Sequence, residues 1–266
     1  MTRLGLVGDL HATWSPADIT SLDDHGYDGL LFTGDLGDVL HRGVRPLAMA
    51  IGRLRTPAVV VPGNHDGPSP LGVLRQATGL PHPPGATRRL LRRTEQLQRW
   101  LGPVPLGGYG LHRFGDVTVV VGRPWSMGGV GRLDFAAALA ERHGVATVSQ
   151  STDRLVGLLE RAPGRHVVLL AHNGPAGLGA ERDAPWAVPG RGDLGDPDLA
   201  QAIAVARARD VPLRAVVAGH VHHGRRRRWH QRQDGLDYVN AARVRRGWHV
   251  VMTVGDEGVA IEQGVA

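Results

Sequence analysis

Five apolar runs in this chain end alike, in a small residue or a proline-glycine followed at once by a side chain able to bind a metal or move a proton. Leu4-Gly5-Leu6-Val7-Gly8 leads into Asp9-Leu10-His11, and Leu30-Leu31-Phe32-Thr33-Gly34 into Asp35. Val59-Val60-Val61-Pro62-Gly63 leads into Asn64-His65-Asp66, Val168-Leu169-Leu170-Ala171 into His172-Asn173, and Val216-Val217-Ala218-Gly219 into His220-Val221-His222. Short continuous apolar runs read as strands buried on both faces, which requires a sheet covered by helices. Such a strand delivers the charge that follows it to the rim of the sheet. Five endings of this kind restrict the chain to an α/β fold with one chemically loaded rim, centred on Asp35.

The segments between the runs fit that frame. Ser15-Pro16-Ala17-Asp18 opens a helix, with Ser15 as cap and proline tolerated at the first position. Val44, Leu47, Ala48, Ile51 and Leu54 have helical spacing, as do Leu199, Ala202, Ile203 and Ala206 within 197–209. Further helices are expected at 135–143 and 151–160, and strands at 116–122, 166–171 and 213–218. The tail reads as antiparallel strands at 225–233 and 236–240 around Asp234-Gly235, then at 247–255 and 259–263. Residues 67–110 break the rhythm. There one helix is expected over 87–101, with Leu90, Leu91, Leu97 and Leu101 inward and Arg88, Arg89, Arg92, Arg93 and Arg99 outward. The stretch reads as an insertion leaning over the site of a single domain, 1–266.

At 266 residues the chain is long enough for one domain with a sizeable core. Cysteine is absent, so disulfides and thiolate metal sites are excluded, and imidazole, carboxylate and amide remain as ligands. All 31 basic residues are arginine and the formal charge is +6, which suits an anionic substrate. Aromatics make up 5% of the chain, too few for the stacking groove of a single-strand nuclease, so nucleic acid is not the expected partner. The first strand begins almost at Met1, and no apolar run is long enough to span a bilayer. A soluble, cytoplasmic protein without membrane contact is the expectation.

The ordered blocks Asp-x-His, Gly-Asp, Gly-Asn-His-Asp, His and Gly-His-x-His resemble those of the calcineurin-like metallophosphoesterases over Asp9 to His222. Residues 119–129 and 238–244 are similar to a subgroup from photosynthetic organisms. The resemblance implies a four-layer α-β-β-α sandwich, with two mixed sheets inside and helices outside. It implies two divalent cations, Mn, Fe, Zn or Co. The first would be held by Asp9, His11, Asp35 and His222, and the second by Asp35, Asn64, His172 and His220. An anion between two cations roughly 3.5–4 Å apart relieves their repulsion, and a hydroxide they share would attack phosphorus. The family pattern makes His65 the general acid.

Other roles are more open. Asp66 either orients the His65 ring or caps the next turn, and Asp38 reads as a cap. Arg123 and Arg243 are candidates for a bidentate phosphate contact. The run Arg225–Arg228 reads as a solvated strand edge, and His223 is doubtful because it adjoins a candidate ligand. Asp38-Val39-Leu40 and Asp66 stand where the protein phosphatase branch has Asp-Arg-Gly and Glu, which disfavours that branch. A small phosphomonoester or phosphodiester is the expected substrate. A nuclease or cyclic-nucleotide phosphodiesterase of the same chemistry is the alternative, followed by a non-catalytic scaffold.

Overall fold

In the computed structural model, which describes residues 1–129, 133–222 and 228–265, two mixed sheets lie face to face with helices outside each. In the first sheet β1 (Thr2–Val7), β2 (Gly29–Phe32) and β3 (Ala58–Val60) run parallel. The antiparallel pair β12 (Trp248–Gly255) and β13 (Gly258–Val265) adds at β1, giving the order β13-β12-β1-β2-β3. The second sheet contains β4 (Gly110–Phe114), β5 (Val117–Val121), β6 (His166–Leu170), β9 (Leu213–Ala218), β10 (His230–Gln233) and β11 (Leu236–Asn240). Its order is β10-β11-β9-β6-β5-β4, parallel through β5, β6, β9 and β11 and antiparallel at both edges. A small hairpin, β7 (Ala187–Val188) with β8 (Gly192–Asp193), sits in the loop after β6.

The helices are α1 (Pro16–Thr20), α2 (Val44–Ile51), α3 (Pro70–Thr78), α4 (Ala86–Leu101), α5 (Ala136–His143), α6 (Val148–Arg161) and α7 (Pro197–Ala208). Side chains alternate across each strand, so a fully apolar strand feeds two cores at once. Leu31, Val119, Val121, Val168, Leu170 and Val217 point between the sheets. Leu30, Phe32 and Val60 point outward under α2 and α4. Val120, Leu169 and Val216 point the other way, under α6 and α7. The result is the four-layer sandwich.

Ser15 caps α1 in a full capping box with Asp18. Asp234 and Gly235, both at positive φ, form the β10–β11 turn. The stretch 67–110 differs from the sequence reading. It carries two helices, and α4 is a structural member of the outer layer. Leu97 and Leu101 pack with α2 over the first sheet, while Leu90 and Leu91 reach the core over the second. The strand β4 is a further departure from the sequence expectation; it pairs antiparallel at the edge of the second sheet, with three of its five residues half-buried. The strand β10 begins at His230, and Arg225 to Arg227 and His223 lie outside the described residues. Among the described residues no helix is long and apolar enough to cross a membrane.

Candidate metal centre

The ends of the parallel strands of both sheets meet at one rim. Asp9 N–H donates to Gly34 O, His11 N–H to Asp35 O and Ala12 N–H to Leu36 O, at 3.2, 3.0 and 3.0 Å, so the loop after β1 lies on the loop after β2. Gly219 N–H donates to His172 O at 2.7 Å, which ties the loops after β9 and β6. Asp9, His11, Asp35 and His220 all have left-handed backbones, with φ of 49°, 42°, 52° and 69°. Each such residue costs on the order of 1 kcal/mol and persists only where its surroundings hold it. Gly63 and Gly219 are needed because of close approach. A Cβ on Gly63 would collide with the Asp35 carboxylate and the His172 ring, and one on Gly219 with Asp9 and Thr33.

Two groups of ligand-type atoms result, each within 4.8 Å: Asp9, His11 and His222, and Asp35, His172 and His220. His222 Nε2 lies 2.8 Å from His11 Nε2 and 3.1 Å from Asp9 Oδ2. Asp35 Oδ2 lies 3.8 Å from His11 Nε2 and 3.7 Å from His172 Nε2, so this one carboxylate faces both groups. The donor set fits divalent cations. His172 Nδ1 donates to the Thr33 carbonyl at 2.6 Å, because a carbonyl can only accept. Its Nε2 therefore carries a lone pair, and that lone pair faces Asn64 Oδ1 at 2.9 Å. Two acceptors converging at that distance, beside a carboxylate, suit a cation between them. His220 Nε2 donates to Met127 O at 3.0 Å and leaves its lone pair on Nδ1. His65 is bound to the cluster through its backbone N–H, which donates to Asp35 Oδ1 at 2.8 Å. Its ring Nε2 stands 3.9 Å from Asp35 Oδ2, and the side chain is 17% exposed.

Asp9 and Asp35 are 0% and 1% exposed. Burial alone would raise the Asp9 carboxyl, but the imidazoles of His11 and His222 outweigh it and hold Asp9 well below the usual carboxylate range. Asp35 goes the other way, up to about 7, through burial and then the charge of Asp9. Burial lowers His11, but Asp9 and Asp35 prevail and lift it to about 8. Burial and the neighbouring imidazoles press His65 down to about 4 and His220 to about 3.

Several sequence expectations are corrected here. Asp66 neither bonds the His65 ring nor caps the next turn. Its Oδ2 accepts from Asp35 N at 2.7 Å and Gly63 N at 2.8 Å, and its Oδ1 from Leu36 N at 2.9 Å. It clamps the loops after β2 and β3 together from beneath. Asp66→Ala leaves three buried donors unmet and should cost about 3 kcal/mol or more, read as a lowered midpoint in urea unfolding. Arg123, a candidate for a phosphate contact, is not at the open rim. It is 1% exposed and turned inward onto Asp196, Asp198 and Asp134, at 2.6, 3.1 and 3.5 Å. Arg243 has its guanidinium over the Trp248 ring, 5.4 Å from the centroid. Asp38 accepts from Leu40 N and Arg42 N in a turn, as a cap does. Arg228 pairs with Asp183 at 3.0 Å. Nothing in the sequence signals the roles of Thr33 O and Met127 O, because backbone acceptors carry no residue signature.

A rim of imidazoles and carboxylates at the carboxyl ends of two packed mixed sheets defines a metal-dependent hydrolase. The sequence profile of the calcineurin-like phosphoesterases matches residues 2–224, and the chain belongs to that family as a metal-dependent phosphoesterase. No curated protein matches it significantly in sequence. Among solved structures the fold is similar to that of a protein from Thermus thermophilus, at 13% identity and TM-score 0.61, covering 99% of this chain and 98% of that one. It is also similar to a putative 5′-nucleotidase from Staphylococcus aureus, at 15% identity and TM-score 0.51, covering 99% of this chain and 53% of the other, about half its length. A third is GAP50 of Plasmodium, described as the anchor in the inner membrane complex, at 8% identity and TM-score 0.52, covering 98% of this chain and 84% of that one. At these identities the likeness is one of fold.

Proposed function

We propose that the chain hydrolyses a small phosphomonoester or phosphodiester with two divalent cations, Asp35 lying between them. The observation that carries this reading is the position of Asp35 Oδ2, nearly equidistant from an imidazole of each group, at 3.8 and 3.7 Å. Asp9, His11 and His222 would hold one cation with it, and Asn64, His172 and His220 the other. When bound, such a pair supplies Lewis acidity and water acidified to a pKa of about 7. Imidazole, carboxylate and amide suit Mn, Fe, Zn or Co.

The protein's own groups do the rest. Asp35 would hold both cations through its carboxylate, and it fixes His65 by accepting its backbone N–H. His65 carries the proton for the leaving group. As the P–O bond to the alcohol breaks, the oxygen takes the electron pair and the imidazole N–H protonates it. Burial and the imidazoles of His11, His172 and His41 hold that proton weakly. A phosphate dianion arriving beside the ring brings the opposite sign of charge and raises its affinity for the proton. The formal charge of +6 favours an anionic substrate over the whole surface. A nuclease reading would need stacking aromatics beside the rim, and the chain has only 5% aromatic residues.

Elemental analysis of the purified protein should give about two metals per chain. The stripped protein, reloaded with Mn, Fe, Zn or Co, should hydrolyse p-nitrophenyl phosphate or its bis-ester faster than single-stranded DNA. Metal-free protein with undiminished turnover would sink the proposal.

A further inference from the structure

Beneath the rim lies a closed set of buried charges that the chemistry above does not use. Arg123, Asp196 and Asp198 are 1%, 0% and 0% exposed, and Asp134 is 5% exposed. One guanidinium faces three carboxylates, an arrangement that is costly to bury. The cluster is built around the loop after β5. Ser126 Oγ donates to Asp196 and also accepts from Gly128 N at 3.2 Å. Met127 N–H donates to Asp134 Oδ2 at 2.7 Å, and Gly129 N–H to Leu194 O at 3.1 Å. Gly128, at φ +74°, sits so close to Leu194 O and Asn173 Nδ2 that a Cβ would collide with both. The Met127 carbonyl then accepts from His220 Nε2, and Asn173, next to His172, donates to Asp196 Oδ1 at 3.2 Å. His220 is thus bonded to the loop that the buried ion cluster holds, and His172 is followed in the chain by a residue bonded to that cluster.

We infer that Asp134 is a positioning residue for His220, acting through the peptide units of Met127. The carboxylate fixes the Met127 N–H, and Arg123 and Gln76 fix the carboxylate, the latter through Nε2 at 3.1 Å. The N–H and the carbonyl of Met127 lie in successive peptide units that share its Cα, so fixing the first to Asp134 fixes the direction in which the second points at His220. The Met127 carbonyl can only accept, so it keeps the proton of His220 on Nε2 and the lone pair on Nδ1. An imidazole held in one tautomer and one orientation binds metal more tightly than one free to turn.

The inference rests on His220 being a ligand of the second cation, and the test separates the two ideas. EDTA-stripped wild type and Asp134→Asn are titrated with Mn²⁺ by calorimetry, and the metal-free thermal midpoint of each is recorded. Wild type should show two binding events. The variant should keep the first and weaken the second by about 10–100-fold. Gln76→Leu, which loosens Asp134 without unpairing Arg123, should weaken the second event by a few-fold and leave the first unchanged, and it serves if Asp134→Asn does not fold. Unchanged affinities with only a lower midpoint would overturn the inference and leave Asp134 a fold-stabilising residue. Wild type that takes up no Mn²⁺ would overturn the parent reading and this one with it.

Discussion

Asp35→Asn is expected to lose turnover by about 10²–10³-fold or more and to retain at most one cation. The substitution is nearly isosteric, and the amide oxygen can still accept the His65 backbone N–H. What it removes is the negative charge facing both groups. The same change should make the metal-free protein more stable at neutral pH. Asp35 has its pKa raised from 3.8 to about 7 in the fold, by burial and by Asp9. Its contribution to stability is therefore complete below the unfolded value and is lost as pH rises through the folded one. An asparagine does not titrate, so the metal-free variant should overtake wild type as pH rises from about 4 to 7. Adding Mn²⁺ should reverse the order, because wild type gains binding free energy that the variant lacks. Thermal midpoints across that pH range, with and without Mn²⁺, measure the crossover. Two tightly bound cations and wild-type turnover in the variant would rule out the bridging role.

His65→Ala should separate chemistry from metal binding. The ring contributes no atom to either ligand group, and the backbone N–H that binds Asp35 survives the substitution. Metal content should stay at the wild-type level while kcat falls by about 10²–10⁴-fold on esters with poor leaving groups. With p-nitrophenol, which leaves without help, the loss should shrink. A variant that loses its metals, or is impaired equally on both kinds of ester, would show that His65 is no general acid.

The residues that gather at the rim are legible because each follows an apolar strand, and strand position is written locally in hydrophobicity. The same local signal supplies the helices with a buried stripe, such as Pro197–Ala208. It misses α3 because Leu71 and Leu74 are 55% and 58% exposed there, so that helix has no apolar stripe to read. Its Ser69-Pro70 start and Gly79 end repeat the capping signal used for α1 and are the available clue. The stretch 67–110 reads as an insertion leaning over the site because its prolines and glycines suggest loops; Leu97 and Leu101, expected inward, are buried as members of the first helical layer itself.

The single chain of letters determined most of the elements outside 67–114, the residues that stand at the ends of the parallel strands, and that their chemistry is metal chemistry without sulfur. Those properties depend on neighbours within a few positions and on composition. Only the tertiary structure decided what Asp66 and Arg123 do, because their partners lie up to 75 residues away: Asp66 joins two loops from below, and Arg123 turns inward to three acids. A charged side chain reads the same in sequence whether it faces substrate or its own core. Burial and the geometry of distant partners separate the two.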